Sequence, residues 1–162
     1  MKMSMIFNID EIIDVILNSG EIAKKHQSLK KVSYELKNDK SKVSDADIEI
    51  NNYIINFLAK KYPQIRVLSE EDNIVNQKKV IEDDTFFIID PIDGTSSFIE
   101  KGDFFTINLT LVYKNLPQIS IIYAPNINLM LCAELEKTYK VEIEGDFKRK
   151  EEIKNNNQIN FN

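Results

Sequence analysis

Apolar residues recur at three- and four-residue intervals early in the chain and then change rhythm. From Asp10 to about Gln27, Ile12, Ile13, Ile16, Leu17, Ile22 and Ala23 share one face, which predicts an amphipathic helix. Lys24, Lys25 and His26 fall near its end, where positive charge suits the helix dipole. The polar, lysine-rich stretch from Leu29 to Lys42 predicts a short surface strand or loop. Ser44 or Asp45 can cap a second helix carrying Ile48, Tyr53, Ile54, Ile55, Phe57 and Leu58, and Pro63 stops it. Strand-like runs follow at Arg66–Leu68, Thr85–Ile89, Phe104–Val112, Gln118–Ala124 and Asn128–Ala133, with a weaker one at Lys137–Ile143. Turn chemistry at Lys114-Asn115-Leu116-Pro117 and Ala124-Pro125-Asn126 separates them.

Strands joined by such short turns predict an antiparallel meander, so the fold class is α+β: two N-terminal helices packed on a mostly antiparallel sheet. The tail from Asp146 loses apolar periodicity and is expected to be loose, leaving residues 1–145 as the folded unit. No internal repeat is evident.

Composition narrows the classes. Hydrophobic residues at 43% and charged residues at 29% exclude a disordered chain or a fibre. Lys+Arg 21 against Asp+Glu 26 gives a net charge of −5, which argues against a nucleic-acid polymer as partner. One cysteine, Cys132, cannot close an intrachain disulfide. No apolar run approaches the ~20 residues that span a bilayer, and the acids within MKMSMIFNIDEIID argue against a signal peptide, so a cytoplasmic location is expected.

Candidate chemistry concentrates in Asp90-Pro91-Ile92-Asp93-Gly94-Thr95. A buried strand delivers Asp90, Pro91 is expected to force a turn, and Asp93 follows three residues later. Two carboxylates and a carbonyl make an oxygen site of the kind Mg²⁺ prefers. The Gly94 and Thr95 amides, at a helix start, could hold a phosphate. Glu70 and Glu71 follow the short strand at Leu68, and Asp45 and Asp47 open the second helix. Plainer readings stand beside these. Asp-Pro and Asp-Gly are common turn dipeptides, Glu70-Glu71 suits a solvated pair, and Asp45 and Asp47 suit caps. His26 is expected on the surface, Cys132 in the core, and Phe86, Phe87, Phe104 and Phe105 in packing.

Together, Val43-Ser44-Asp45-Ala46-Asp47, Leu68-Ser69-Glu70-Glu71 and Asp90-Pro91-Ile92-Asp93-Gly94-Thr95 resemble, in order, the motifs of the inositol monophosphatase superfamily of magnesium-dependent, lithium-sensitive phosphatases. Glu71-Asp72, Phe98-Ile99, Gly102-Asp103-Phe104-Phe105-Thr106-Ile107-Asn108, Tyr123-Ala124-Pro125 and Lys37-Asn38-Asp39 are similar to the 3′(2′),5′-bisphosphate nucleotidase (CysQ-type) branch. Ser96-Ser97 departs from the basic-acidic pair usual there.

The resemblance implies the first lobe of a layered α-β-α-β-α fold and two-metal hydrolysis of a small phosphorylated metabolite such as adenosine 3′,5′-bisphosphate. Glu70, Asp90 and the Ile92 carbonyl would hold one Mg²⁺, and Asp90 and Asp93 would share another. Glu70 and Thr95 would activate water, Asp47 would tune the water network, and Asp93, Gly94 and Thr95 would meet the substrate. The family's second lobe carries a further ligating aspartate in a tryptophan-aspartate motif, whereas this chain has no tryptophan. The expectation is therefore an N-terminal lobe alone, with the C-terminal lobe absent, and with a homodimer or a separately encoded C-terminal lobe as partner. The alternatives are a catalytically defective lobe that binds metal or partners, and inositol monophosphatase or sugar bisphosphatase activity.

Overall fold

The computed structural model describes residues 7–37, 41–72, 74–134, 137–144 and 147–154. Met1–Ile6, Asn38, Asp39, Lys40, Asn73, Leu135, Glu136, Gly145, Asp146 and Asn155–Asn162 lie outside the described residues, so the readings made on them stay as expectations.

Helix α1 (Ile9–Ser28) opens with the Asn8 side chain accepting from the Asp10 amide. Its buried stripe is Ile9, Ile12, Ile13, Val15, Ile16, Ser19, Gly20 and Ala23. A Cβ at Gly20 would run into the edge of the Tyr123 ring, so glycine lets this helix lie close on the sheet. His26, expected on the surface, is 15% exposed and places Nε2 2.7 Å from Glu49 Oε2, which ties α1 to the next helix. The lysine-rich stretch folds as a hairpin, β1 (Tyr34–Leu36) with β2 (Lys42–Ser44). Helix α2 (Asp45–Lys61) follows directly.

The main sheet runs β3 (Arg66–Ser69), β4 (Thr85–Asp93), β5 (Thr106–Tyr113), β6 (Leu116–Ala124), β7 (Leu129–Glu134), β8 (Lys137–Glu144) and β9 (Phe147–Glu152), in that spatial order. From β4 onward it is the expected antiparallel meander. Lys114 and Asn115 take positive φ at the β5–β6 turn, the backbone that a two-residue hairpin demands. β3 pairs parallel to β4, which requires a crossover, and α3 (Ile74–Val80) occupies it. The sequence reading missed α3, whose seven residues are too short for a periodic signal to stand out.

Two further expectations fail. Pro91 does not turn the chain: β4 continues through it to Asp93, with Pro91 and Ile92 opposite Ile107 alone, because Asp90 pairs with Asn108 and Asp93 with Thr106. Proline removes one ladder hydrogen bond, and a bulge is where a strand accommodates that loss. The tail is not loose throughout, since β9 pairs with β8 from Tyr139↔Glu152 to Glu144↔Phe147. Backbone pairing and ions hold this strand: Lys150 reaches Asp10 at 2.5 Å, and Lys137 reaches Glu152 at 3.6 Å. Such an edge strand needs no apolar alternation.

Ile12, Ile13 and Ile16 of α1 and Ile50, Ile54 and Leu58 of α2 pack with Phe87, Ile89, Ile107, Ile121 and Met130 of the sheet. Complete burial of such a side chain contributes about 1.5–3 kcal/mol. Cys132 joins this core as expected, and burial pushes its thiol up to about 11. On the other face Val80, Phe86 and Val112 form a small second cluster. Phe105 turns inward onto Phe98, with ring centroids 5.0 Å apart. Phe104 was expected to pack as well; it is 81% exposed, because consecutive residues at this strand entrance point to opposite sides.

Candidate active site

The parallel pairing of β3 with β4 brings two acids side by side. Ser69 pairs with Ile89, and the next amide, from Glu70, donates to the Ile89 carbonyl at 3.1 Å. Glu70 therefore leaves the end of β3 beside Asp90. A turn secures this point: the Ser69 amide donates to Asp72 Oδ2 at 3.0 Å, and the Ser69 hydroxyl donates to Asn51 Oδ1 at 2.7 Å. Asp45 is exposed at the first position of α2 and takes no part in the cap.

Asp47 arrives from α2 and is fully buried. Ser44 caps that helix, and Asp47 completes the box: its Oδ2 accepts from the Ser44 amide at 2.9 Å and from the Ser44 hydroxyl, while the Asp47 amide donates back at 3.3 Å. The cap reading and the site reading of Asp47 thus hold together, because its other oxygen faces Thr95 Oγ1 at 3.5 Å. The Thr95 hydroxyl donates at 3.0 Å to the carbonyl of Ile92, in the bulge. Gly94, at φ 92, turns the chain from β4 into α4 (Thr95–Ile99), and a Cβ there would press on the Phe104 carbonyl at 3.0 Å. Asp93 is exposed beside it.

The electrostatics are unbalanced. Burial raises the Asp90 carboxyl to about 6, and Glu70, Asp93 and Asp47 add repulsion. Burial also raises Asp47, against the lowering hydrogen bonds from Ser44. Glu71 is pushed up to about 7 by burial and by Glu70, although Lys37 pulls it down. Lys37 Nζ lies 2.9 Å from Glu70 Oε1 and 2.9 Å from Glu71 Oε2. Glu70 is exposed to solvent, whereas Glu71 is not, its side chain being 10% exposed. Asp90 Oδ1, Glu71 Oε1 and Asn108 Oδ1 are buried with no hydrogen-bond partner. Each such orphan costs about 1–3 kcal/mol unless something satisfies it.

These are hard oxygen acceptors lacking donors, and that chemistry fits a cation such as Mg²⁺. Among the described residues no group of three or more His, Cys, Asp or Glu side chains is positioned to hold a metal ion, so the donor chemistry fits without a ready-formed cage. Lys37, Glu71 and Asn108 were given no role by the sequence reading. Each lies in a segment that carries the resemblance, but its part in the site follows from strand register and burial. A cavity of about 440 Å³ opens beside Asp93 and Gly94, walled by Asp103, Phe104, Ile122, Ile127 and Leu131.

The sequence profile of the inositol monophosphatase family matches residues 8–160. The chain belongs to the inositol monophosphatase family. It is 30% identical over 142 residues to the 3′(2′),5′-bisphosphate nucleotidase CysQ of Buchnera aphidicola, covering 87% of this chain and 53% of that protein. It is 34% identical over 117 residues to inositol monophosphatase 1 of Saccharomyces cerevisiae, covering 70% and 39%. The structure of CysQ from Bacteroides thetaiotaomicron superposes with a TM-score of 0.68 at 29% identity, covering 89% of this chain and 54% of that one. The chain thus spans about half the length of the CysQ relatives it matches. Among the described residues no helix is long and apolar enough to cross a membrane.

Proposed function

We propose that this chain carries the acidic half of a phosphomonoesterase site whose substrate is a small phosphorylated metabolite such as adenosine 3′,5′-bisphosphate. The observation that carries the reading is the buried, unpartnered Asp90 Oδ1, set beside Glu70 and repelled by Glu70, Asp93 and Asp47. Glu70, Asp90, the Ile92 carbonyl and Asp93 would hold Mg²⁺. When bound, the metal supplies charge neutralisation at the phosphoryl oxygens and a more acidic water. The chain's own groups do the rest. The Thr95 hydroxyl proton is shared between two acceptors, the Ile92 carbonyl and Asp47 Oδ1, and with either one its oxygen is left free to accept from the attacking water. Glu70 takes the water's proton, and Asp47, locked by the Ser44 cap, keeps Thr95 in place. The Gly94 and Thr95 amides receive the phosphate, and Asp93 meets the substrate. A homodimer or a separately encoded C-terminal lobe would complete the site, in the cytoplasm.

The open arrangement of the acids favours one second reading, a half-site that binds cation without turnover. Phosphate release from adenosine 3′,5′-bisphosphate, with Mg²⁺ titrated and lithium as control, separates the two. Lithium-sensitive release is expected, and Asp93→Asn abolishes it together with any Mg²⁺-dependent rise in melting temperature. Glu70→Gln is expected to lose rate more than cation binding. A folded chain that shows a Mg²⁺ melting shift and no release is the half-site. Release and shift that both survive Asp93→Asn would show the site to be misassigned.

A further inference from the structure

The chain between α4 and β5 forms one wall of the cavity beside Asp93 and Gly94, with Asp103 and Phe104 at its rim. Phe104 is 81% exposed and Asp103 is exposed as well, so neither side chain is held by packing. The backbone of this loop is held instead, from the last turn of α1. Gln27 Nε2 donates to the Phe98 carbonyl at 3.2 Å and to the Gly102 carbonyl at 3.1 Å. Gln27 Oε1 accepts from Asn126 Nδ2 at 2.8 Å, in the 3-10 turn Pro125–Ile127. The same Asn126 nitrogen lies 3.5 Å from Asp103 Oδ1. Gln27 thus uses both its amide protons and its carbonyl, tying α1 to segments 71 and 99 residues away. Inside the loop the Gly102 amide donates to the Ser97 carbonyl at 2.8 Å, and a Cβ at Gly102 would collide with Ser97 Oγ. The loop also rests on the turn after β4: a Cβ at Gly94 would lie 3.0 Å from the Phe104 carbonyl and 3.4 Å from the Phe105 Cα.

We propose that Gln27 is a positioning residue for substrate specificity: its amide, with Asn126, fixes the Asp103–Phe104 wall against which the organic part of a phosphorylated metabolite lies. This rests on reading Gly94 and Thr95 as the place of the phosphate. A phosphate held there has the cavity of about 440 Å³ beside it. Phe104, Ile122, Ile127 and Leu131 give that cavity an apolar surface, which suits a base or another planar apolar group rather than a polyol. A ring stacks best on a platform already in place, since ordering the platform on binding subtracts from affinity. Gln27 does not line the cavity, so it supplies that order through the loop.

Calorimetry of the full chain in Mg²⁺ tests this with two probes, adenosine 3′,5′-bisphosphate and inorganic phosphate. Gln27→Leu, close in size but without hydrogen bonds, is expected to bind the bisphosphate roughly tenfold more weakly, with inorganic phosphate unchanged. Asn126→Ala, which leaves both Gln27 donor bonds in place, loses roughly two- to threefold in the same selective way. Phe104→Ala, at an exposed position, falls by as much as Gln27→Leu, and the double variant falls no further because both act through one wall. Melting curves establish that each variant is folded, and Asn126→Ala carries the test if Gln27→Leu is not. Bisphosphate binding that survives Gln27→Leu, an equal loss for both probes, or losses that add in the double variant overturn the positioning role and leave the phosphate site standing. A native chain that binds neither probe removes the phosphate site and the positioning role with it.

Discussion

The two ends of β4 are built to opposite rules. At its start Phe87 and Ile89 sit at 0% and 1% exposure in the hydrophobic core formed with α1 and α2. One residue beyond Ile89, Asp90 is held among Glu70, Asp93 and Asp47 with a buried oxygen that nothing satisfies. The first end stabilises the fold; the second destabilises it. The strand is nine residues long, so the stabilising end anchors the costly one directly, and the bulge at Pro91-Ile92 is the joint between them. What this teaches is that the acids stay clustered because the core on the same strand leaves them nowhere else to go.

The most severe way to break this contrast is to remove the anchor. Phe87→Ala is expected to cost about 3–5 kcal/mol of stability in chemical denaturation, since a buried ring is lost and its cavity cannot fully collapse. A cost below 1 kcal/mol would mean that β4 is not the anchor.

The second test works from the costly end. Asp90 and Glu71 titrate at about 6 and about 7 in the folded chain, against about 4 when unfolded. The folded state thus binds these protons more tightly. That stabilisation is complete below the unfolded values and is lost as pH rises through about 6 and then about 7. Without divalent cation, the melting temperature should fall between pH 5 and pH 8. Asp90→Asn should raise it at pH 8 and flatten the part of the slope near pH 6. A mutant less stable than the native chain at pH 8 would contradict the unsatisfied charge.

A smaller effect sharpens the picture at Asp47. Ser44→Ala removes the N-cap and one hydrogen bond to the Asp47 carboxylate, at an expected cost of about 1 kcal/mol. It also removes a contact that lowers the Asp47 pKa, so that carboxyl should move further up. Thermal melts of the mutant, with NMR titration of Asp47, would check both.

Legibility followed the range of the interaction. Helices α1 and α2 were readable because Ile12, Ile13 and Ile16, and Ile54 and Leu58, repeat with the helical period, and Pro63 marks an end. The strands from β4 to β8 were readable because turn residues such as Lys114-Asn115 punctuate them. Edge strand β9 was not, since ion pairs and backbone pairing replace apolar alternation there. Glu70, Asp90, Asp93 and Thr95 could be singled out because they lie in short motifs. Lys37 lies in such a segment too, but its pairing with Glu70, 33 residues on, could not be read from the sequence.

By itself, the order of residues determined the two helices, the meander, the family and the identity of the candidate acids, because periodicity, turn chemistry and motif spacing are local properties of the chain. Only the tertiary structure decided that β3 lies parallel to β4, which places Glu70 beside Asp90, and that β4 bulges rather than turns at Pro91. It also decided that Lys37 stands on two of the acids. Burial, and the loss of hydrogen-bond partners that comes with it, exists only once distant segments pack, and this turns a set of ordinary carboxylates into a strained, chemically poised cluster.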